Sequence, residues 1–406
     1  MPGQGILSDL RIVEASAFVA APLGGLTLAQ MGADVIRIDP LGGGLDFGRW
    51  PMSHDDVSLF WCGLNKSKRS VALNLADPEG REIAMSLIAA PGEGAGLFVT
   101  NFPPRGWLDY DKLKAKRADL IQVTLQGDHK GGSAVDYTVN ARVGVPYVTG
   151  PASDETPVNH VLPAWDVATG HLVATGLLAA ERHRGRTGQG QHVKLALEDV
   201  ALSVMGHLGF IAEAQLGCAR GRYGNDLFGA FGRDFACADG RRVIAIGLTL
   251  KQWNSLVEAT GLAKTVETLG ARLGLDLTKE GDRFLARREL GAAIGGWIAA
   301  RSFAKVAASF DHAGVCWGPY QNVDELVHSD PACSVENPLF DSVEQSGVGR
   351  MLSPRSALRF EAFDPRPVGA APALGEHTEA VLGEILGIDG AAYGRLHDRG
   401  IVHNPR

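Results

Sequence analysis

The sequence has no CxxC pair, and its five cysteines (Cys62, Cys218, Cys237, Cys316, Cys333) are scattered and odd in number. That argues against a thiolate zinc site and a disulfide-stapled scaffold, and fits reduced thiols. No apolar run reaches the roughly 18 residues a membrane span requires. The opening residues MPGQGILSDLRIVE carry no basic stretch followed by an apolar one, so a cytoplasmic protein without a signal peptide is expected. An excess of basic residues is also missing. The 39 Lys and Arg against 46 Asp and Glu give a net charge of −7, which speaks against nucleic acid as a partner. GxGxxG, P-loop, HExxH and GxSxG motifs are all absent. The 12 histidines form no ligand-spaced pair, and His160, His171 and His207 lie in apolar stretches where packing is their ordinary role. A dinucleotide fingerprint, a zinc or serine hydrolase, a kinase and a bound metal are therefore not expected.

What is present is an α/β pattern in a chain of 406 residues, 45% hydrophobic and 21% charged. That length exceeds one ordinary core, so two domains are expected. Leu10 to Ala15 reads as a strand, Ala20 to Gly32 as a helix and Val35 to Ile38 as a second strand, which is the order of a parallel unit. Further strands are predicted after Asn65, at Gly96 to Thr100 and at Asp119 to Leu125. Asp77 and Pro78 read as the cap and first position of another helix. After Gly217 the composition turns glycine-rich and aromatic, and Asp239-Gly240 marks a hairpin. These signals predict a large domain over residues 1–216, a small α+β domain over 217–314 and a return to the large domain over 315–406.

Two stretches carry possible chemistry. Asn65 to Leu75, NKSKRSVALNL, is either a solvated basic loop or a contact for phosphate, which an arginine fork suits. Asn159 to Ala180, NHVLPAWDVATGHLVATGLLAA, turns from extended to helical near Pro163. There Asp166 is either a helix N-cap or a nucleophile at the mouth of a site. Val167, Ala174, Leu177 and Leu178 fall on one helical face, and Gly170 is among the small residues that would permit close packing.

The segments GADVIRID, LNKSKRSVALNL, TNFPPRG, PAWDVATG, TGQGQHVKLAL and LGEHTEAVL run in order along the chain. Together they make it resemble the class III CoA-transferases. Further stretches, including SAFVAAPLGG, VNHVLPAWD and GAFGRDF, resemble the branch that moves CoA between the two carboxyl groups of mesaconate. The resemblance implies a large Rossmann-like parallel-sheet domain, a smaller α+β domain and an interlocked homodimer. It implies an acyl-CoA substrate, mesaconyl-CoA, and no cofactor beyond the substrate's CoA moiety. In the family such a step serves glyoxylate assimilation by the 3-hydroxypropionate route.

The resemblance also implies that Asp166 is the covalent nucleophile. The positive end of its helix is expected to keep it ionised. Arg37, Lys66, Arg69 and Arg105 are expected to hold the nucleotide end of CoA, with Phe18, Val19 and Ala20 lining the thioester end. The family's racemases carry a His before the motif Asp and its formyl-CoA transferase a Tyr; that position falls here at Val135, which cannot move a proton. Phe228, Phe231 and Arg233 are expected to cover the bound acid, Arg233 pairing with its idle carboxylate. Transfer between two molecules and CoA-ester binding without turnover are the alternatives.

Overall fold

The structure, a computed structural model, describes residues 5–363 and 366–402. The chain divides into two compact units, one comprising Met1–Val143, Val161–Ala212 and Ser334–Arg406, the other Gly144–His160 and Glu213–Cys333.

The first unit begins with β1 (Arg11–Ala15), α1 (Ala20–Gln30), β2 (Asp34–Pro40), α2 (Leu59–Asn65) and β3 (Arg69–Leu73). Next come α3 (Pro78–Ala89), β4 (Leu97–Thr100), α4 (Tyr110–Lys116), β5 (Ile121–Gln126) and α5 (Asp136–Arg142). The chain then enters the second unit for one short helix, α6 (Val145–Val148). It returns with α7 (Ala164–Thr187), β6 (His192–Ala196) and α8 (Leu197–His207). Asp77 caps α3 through the Glu79 N–H, with Pro78 at the first helical position.

Six strands form one sheet in the order β3-β2-β1-β4-β5-β6, and every pairing is parallel. This is the Rossmann order. Successive side chains on a strand point to opposite faces, so Ile12 joins the layer of α1 and α7 while Val13 joins that of α3 and α4. α1 and α7 meet at glycines. A Cβ at Gly170 would stand 2.8 Å from the Ala20 carbonyl oxygen, and one at Gly24 would stand 2.6 Å from Val173. The buried stripe of α7 is Thr169, Gly170, Val173, Ala174, Leu177 and Ala180. Val167, predicted on that face, is instead 39% exposed.

In the second unit, α9 (Phe210–Gln215) crosses its boundary and β7 (Phe231–Ala236) pairs antiparallel with β8 (Arg242–Gly247). Gly240 makes the predicted turn, at φ 81°. Five helices follow: α10 (Leu250–Thr260), α11 (Ala263–Leu273), α12 (Glu280–Leu285), α13 (Arg287–Ala299) and α14 (Phe303–Ala313). β9 (Cys316–Pro319) then completes the sheet on β8, so residues 315–333 stay with the small unit instead of returning to the large one. α15 (Val323–Ser329) ends this unit. β10 (Phe340–Gln345), β11 (Gly349–Pro354), α16 (Thr378–Leu386) and α17 (Gly390–Asp398) belong to the first unit.

An ionic cluster lies buried along β1 and β2. Glu14, Asp39 and Asp46 supply its carboxylates, and Arg37 and Lys68 its cations. Arg37 is 1% exposed. Its guanidinium donates to Asp39 at 3.0 Å, Asn65 at 3.0 Å, Asp46 at 3.0 Å and the Ser16 carbonyl at 2.8 Å. Burial alone would lower its pKa, but the three carboxylates outweigh burial and raise it. Lys68, fully enclosed, is brought down to about 8 by desolvation despite its bonds to Glu14. The expectation that Arg37 holds CoA is therefore corrected, because its donors are spent inside the protein. Removing it leaves three buried carboxylates facing one lysine. Arg37→Ala should lower the unfolding free energy by about 3–5 kcal/mol, the usual cost of stranding buried charge. Urea unfolding of the two chains, with midpoints and slopes compared, measures this.

Candidate active site

In a Rossmann sheet the crevice lies at the carboxyl ends of the strands, where the order reverses, here between β1 and β4. A cavity of about 680 Å³ opens there. It is lined by residues 17–20 after β1, Asn101, Pro103 and Pro104 after β4, and the glycine loop after β5, and Asp166 of α7 faces it. All of its lining residues belong to the first unit.

The loop after β1 is tightly pinned. Asn101 donates to the Ala17 carbonyl at 2.7 Å and accepts the Ala17 N–H at 3.0 Å. The next residue, Phe18, adopts φ 66°, a left-handed conformation costly for a bulky side chain. Its N–H donates to Asp46 Oδ1 at 2.9 Å, and Asp46 is itself held by Arg37. The buried cluster thus fixes the backbone of the cavity wall. Across the cavity, Gly127, Gly131, Gly132 and Ser133 form the loop after β5. Asp128 ties that loop together by accepting from the N–H groups of Lys130 and Gly132, each at 2.8 Å. A Cβ at Gly127 would lie 2.2 Å from the Ala134 nitrogen, so only glycine fits.

Asp166 is not the cap of its helix. α7 begins at Ala164 after Pro163, and Asp166 lies in its first turn. The cap comes from α5, where Asp136 Oδ2 accepts the N–H groups of Trp165 at 2.7 Å and Asp166 at 3.0 Å. One turn further along α5, Asn140 accepts the Trp165 indole N–H at 3.1 Å. Orphan amides at a helix start favour a carboxylate, but it is Asp136 that takes them. Asp166 is raised from its ordinary 3.8 to about 7, first by desolvation and then by the charge of Asp136, with Arg49 opposing. This reverses the expectation that the helix end keeps Asp166 ionised.

The other predicted site residues divide. Phe18, Val19 and Ala20 line the cavity with Asp166. Arg105 is exposed and follows Pro104 at the cavity edge. Lys66 is 5% exposed, its ammonium brought down to about 8 by burial. Arg69 is committed to Asp34 at 2.5 Å and Glu384 at 2.7 Å. Neither belongs to the cavity lining. Phe231 is wholly buried in the core of the second unit against Trp253, which rules out a covering role. Phe228 is 38% exposed, in a ring cluster with Tyr223 and Phe284. Arg233 forms an ion pair with Asp226 at 3.4 Å. Val135 does line the cavity, and Tyr137, two residues on, brings a phenol to the same wall. Sequence reasoning also passed over Asp136, Asn101 and Arg49. Asn101 lies within TNFPPRG, but its bonds to Ala17, like the parts of Asp136 and Arg49, are tertiary and show only in the folded chain.

Comparison with known proteins agrees with this geometry. A family model described as CoA-transferase family III matches residues 7–378. The 2-methylfumaryl-CoA isomerase of Chloroflexus aurantiacus is 57% identical over 404 residues, 99% of each chain. The succinyl-CoA:mesaconate CoA-transferase of Haloarcula marismortui is 30% identical, covering 95% of this chain and 97% of its own. Among solved structures, a CAIB/BAIF family protein from Brucella suis superposes with a TM-score of 0.76 at 24% identity. That match covers 94% of this chain and 100% of the other, and it speaks to the fold. A family model spanning most of the chain, on a Rossmann sheet with a carboxylate in its crevice, makes this chain a member of CoA-transferase family III.

Proposed function

We propose that the protein converts mesaconyl-1-CoA (2-methylfumaryl-CoA) to mesaconyl-4-CoA by moving CoA within one substrate molecule, with Asp166 as nucleophile. The observation that carries this reading is Asp166 itself, a partly desolvated carboxylate set in the crevice of the sheet. The full-length likeness to a 2-methylfumaryl-CoA isomerase supports the choice of substrate.

The steps balance without cofactor, oxidant or metal. Asp166 attacks the thioester carbonyl, the carbon–sulfur bond breaks, and CoA leaves as thiolate from a mixed anhydride. The thiolate attacks the aspartyl carbonyl and expels mesaconate as a carboxylate, leaving an aspartyl-CoA thioester. The second carboxylate of mesaconate attacks that thioester, the aspartyl carbon–sulfur bond breaks to release CoA thiolate, and an anhydride re-forms, now through carbon 4. Thiolate then attacks the carbon-4 acyl group and frees Asp166. Covalent catalysis divides one difficult exchange into steps of similar height. The pinned loop at Phe18, Val19 and Ala20 lies beside the reacting thioester, and exposed Arg105 is the strongest remaining candidate for the phosphates of CoA. We also assign a homodimer. In the first unit α8 leaves Leu202 41% exposed and the turn after it leaves Leu208 63% exposed, an apolar surface a second copy would cover. Among the described residues no helix is long and apolar enough to cross a membrane.

Three outcomes are expected. Asp166→Ala should reduce turnover by about 10⁴-fold or more while CoA esters still bind, because the covalent step has no substitute. Persistent isomerisation by the folded variant would remove Asp166 from the chemistry.

The second concerns pH. Only ionised Asp166 is a nucleophile, so kcat/KM should rise about tenfold per pH unit below its titration near 7 and then level off. Asp136→Asn keeps an oxygen for the Trp165 and Asp166 amides but removes the charge, so the inflection should move to lower pH. An unmoved inflection would contradict the coupling. Between 3.8 and about 7 the folded chain holds a proton that the unfolded chain has lost. Stability therefore falls as the pH rises through that window, and Asp166→Asn should melt above the parent at pH 8.

The third separates transfer within one molecule from transfer between two. With excess isotopically labelled mesaconate, and separately with succinate, the CoA esters should acquire negligible label and no succinyl-CoA should form. Label entering at a rate near turnover would establish an ordinary intermolecular transferase.

A further inference from the structure

Arg49 is the one cation among the described residues that line the cavity, and two acids, Asp136 and Asp166, share that lining. Its guanidinium stands over the Phe60 ring at 4.7 Å and near the Phe18 ring at 5.4 Å. Those contacts engage its π face and leave its in-plane N–H fork free. Its charge acts on the Asp166 carboxylate, which shares the cavity lining. Every other arginine or lysine proposed for the substrate is either tied up or absent from the lining. Arg37 is enclosed by carboxylates, Arg69 is shared by Asp34 and Glu384, and Arg233 pairs with Asp226.

We infer that Arg49 holds the carboxylate of the substrate's acid that is not reacting, making it the residue that selects dicarboxylyl-CoA thioesters. This rests on the proposed transfer of CoA between the two ends of a dicarboxylic acid. A second carboxylate entering a cavity with two acids is unfavourable unless a cation meets it, since a desolvated and unpaired charge is costly. Among the described residues that line the cavity Arg49 is the one cation to meet it, and a guanidinium binds a carboxylate in two parallel bonds. The same fork serves both halves of the reaction. While carbon 1 is bound to Asp166, the carbon-4 carboxylate rests on Arg49. After aspartyl-CoA forms, the acid turns about that anchor, the carbon-1 carboxylate takes its place on Arg49, and carbon 4 reaches Asp166. A tether of this kind keeps the free acid in the cavity between the two halves.

The test compares two thioesters that differ only at the distal group. Mesaconyl-1-CoA carries a carboxylate there, and tiglyl-CoA a methyl. The readout is the single-turnover rate at which aspartyl-CoA accumulates on Asp166, followed by intact-protein mass in the full-length chain. Arg49→Gln should slow adduct formation from mesaconyl-1-CoA by about 10- to 100-fold, the range expected for one charge-assisted bond. With both thioesters assayed at about pH 9, where Asp166 is ionised with or without Arg49, it should change the rate from tiglyl-CoA by less than about threefold, and Arg49→Lys should recover part of the loss. An equal loss on both thioesters, or no loss on mesaconyl-1-CoA, overturns the inference. If Arg49→Gln does not fold, Arg49→Lys on the same pair decides it: a loss confined to mesaconyl-1-CoA supports the role, and parallel rates refute it. If the parent chain does not isomerise mesaconyl-1-CoA, the proposed function fails. Succinyl-CoA against butyryl-CoA then decides the role of Arg49 independently.

Discussion

The site depends on one carboxylate placed against a helix start. Asp136 takes the first free amides of α7, and that bond fixes where Asp166 stands. It also decides how Asp166 ionises. Had Asp166 capped its own helix, the amides would have stabilised its charge. Because Asp136 occupies them, Asp166 loses that stabilisation and gains a like-charged neighbour in a partly desolvated cavity. Position is thus set by the contact between α5 and α7, and basicity by burial together with the charge that this contact brings.

A second layer of order comes from Arg37, for which the family resemblance implied a ligand contact. The residue lies within β2, two positions before Asp39, and an arginine there can serve a phosphate or an internal ion cluster. Which of these holds depends on where the carboxylates fall, and those of Glu14 and Asp46 are 23 and 9 residues away. The cluster resembles a keystone under the loop after β1, joining β1, β2 and the Phe18 amide through Asp46. A buried ion network is weak evidence for stability, yet it can hold a strained backbone in one conformation. Here the strained residue is Phe18, at the cavity wall.

The fold was legible because the strands carry strand-period signals, a short apolar run at Leu97–Thr100 and an alternation of apolar and polar residues at Ile121–Gln126. The helix after Pro163, the Asp77 cap and the Asp239-Gly240 turn were legible for the same reason, since each is a local signal. The sheet order was not local, and neither was the partition of 315–333, which is settled by β9 pairing with β8. Asp166 could be named because its motif is contiguous. Asp136 and Arg49 could not, because each matters only through what it meets in the folded chain, and Asn101, though inside TNFPPRG, shows its part only in its bonds to Ala17. The arginines were the least legible. Arg37, Arg49, Arg69 and Arg233 differ little in sequence, and only burial and partners separate an internal clamp from a free fork.

In the proposed mechanism, with Asp166 as nucleophile, its raised basicity also bears on the direction of the chemistry. In the mixed anhydride, thiolate can attack either carbonyl. Attack on the substrate's acyl carbon expels Asp166 and regenerates the starting thioester. Attack on the aspartyl carbon expels mesaconate and carries the reaction forward. The better leaving group is the less basic carboxylate. Asp166, displaced upward by desolvation and by Asp136, is the poorer leaving group beside an ordinary carboxylate, so the partition favours aspartyl-CoA. The same basicity makes the ionised carboxylate a stronger nucleophile in the first step. A low-pKa aspartate fully stabilised by a helix start would be ionised at lower pH but would attack more weakly and leave more readily. The arrangement in which Asp136 takes the amides and Asp166 goes without them therefore suits a nucleophile that has to stay bound until CoA returns.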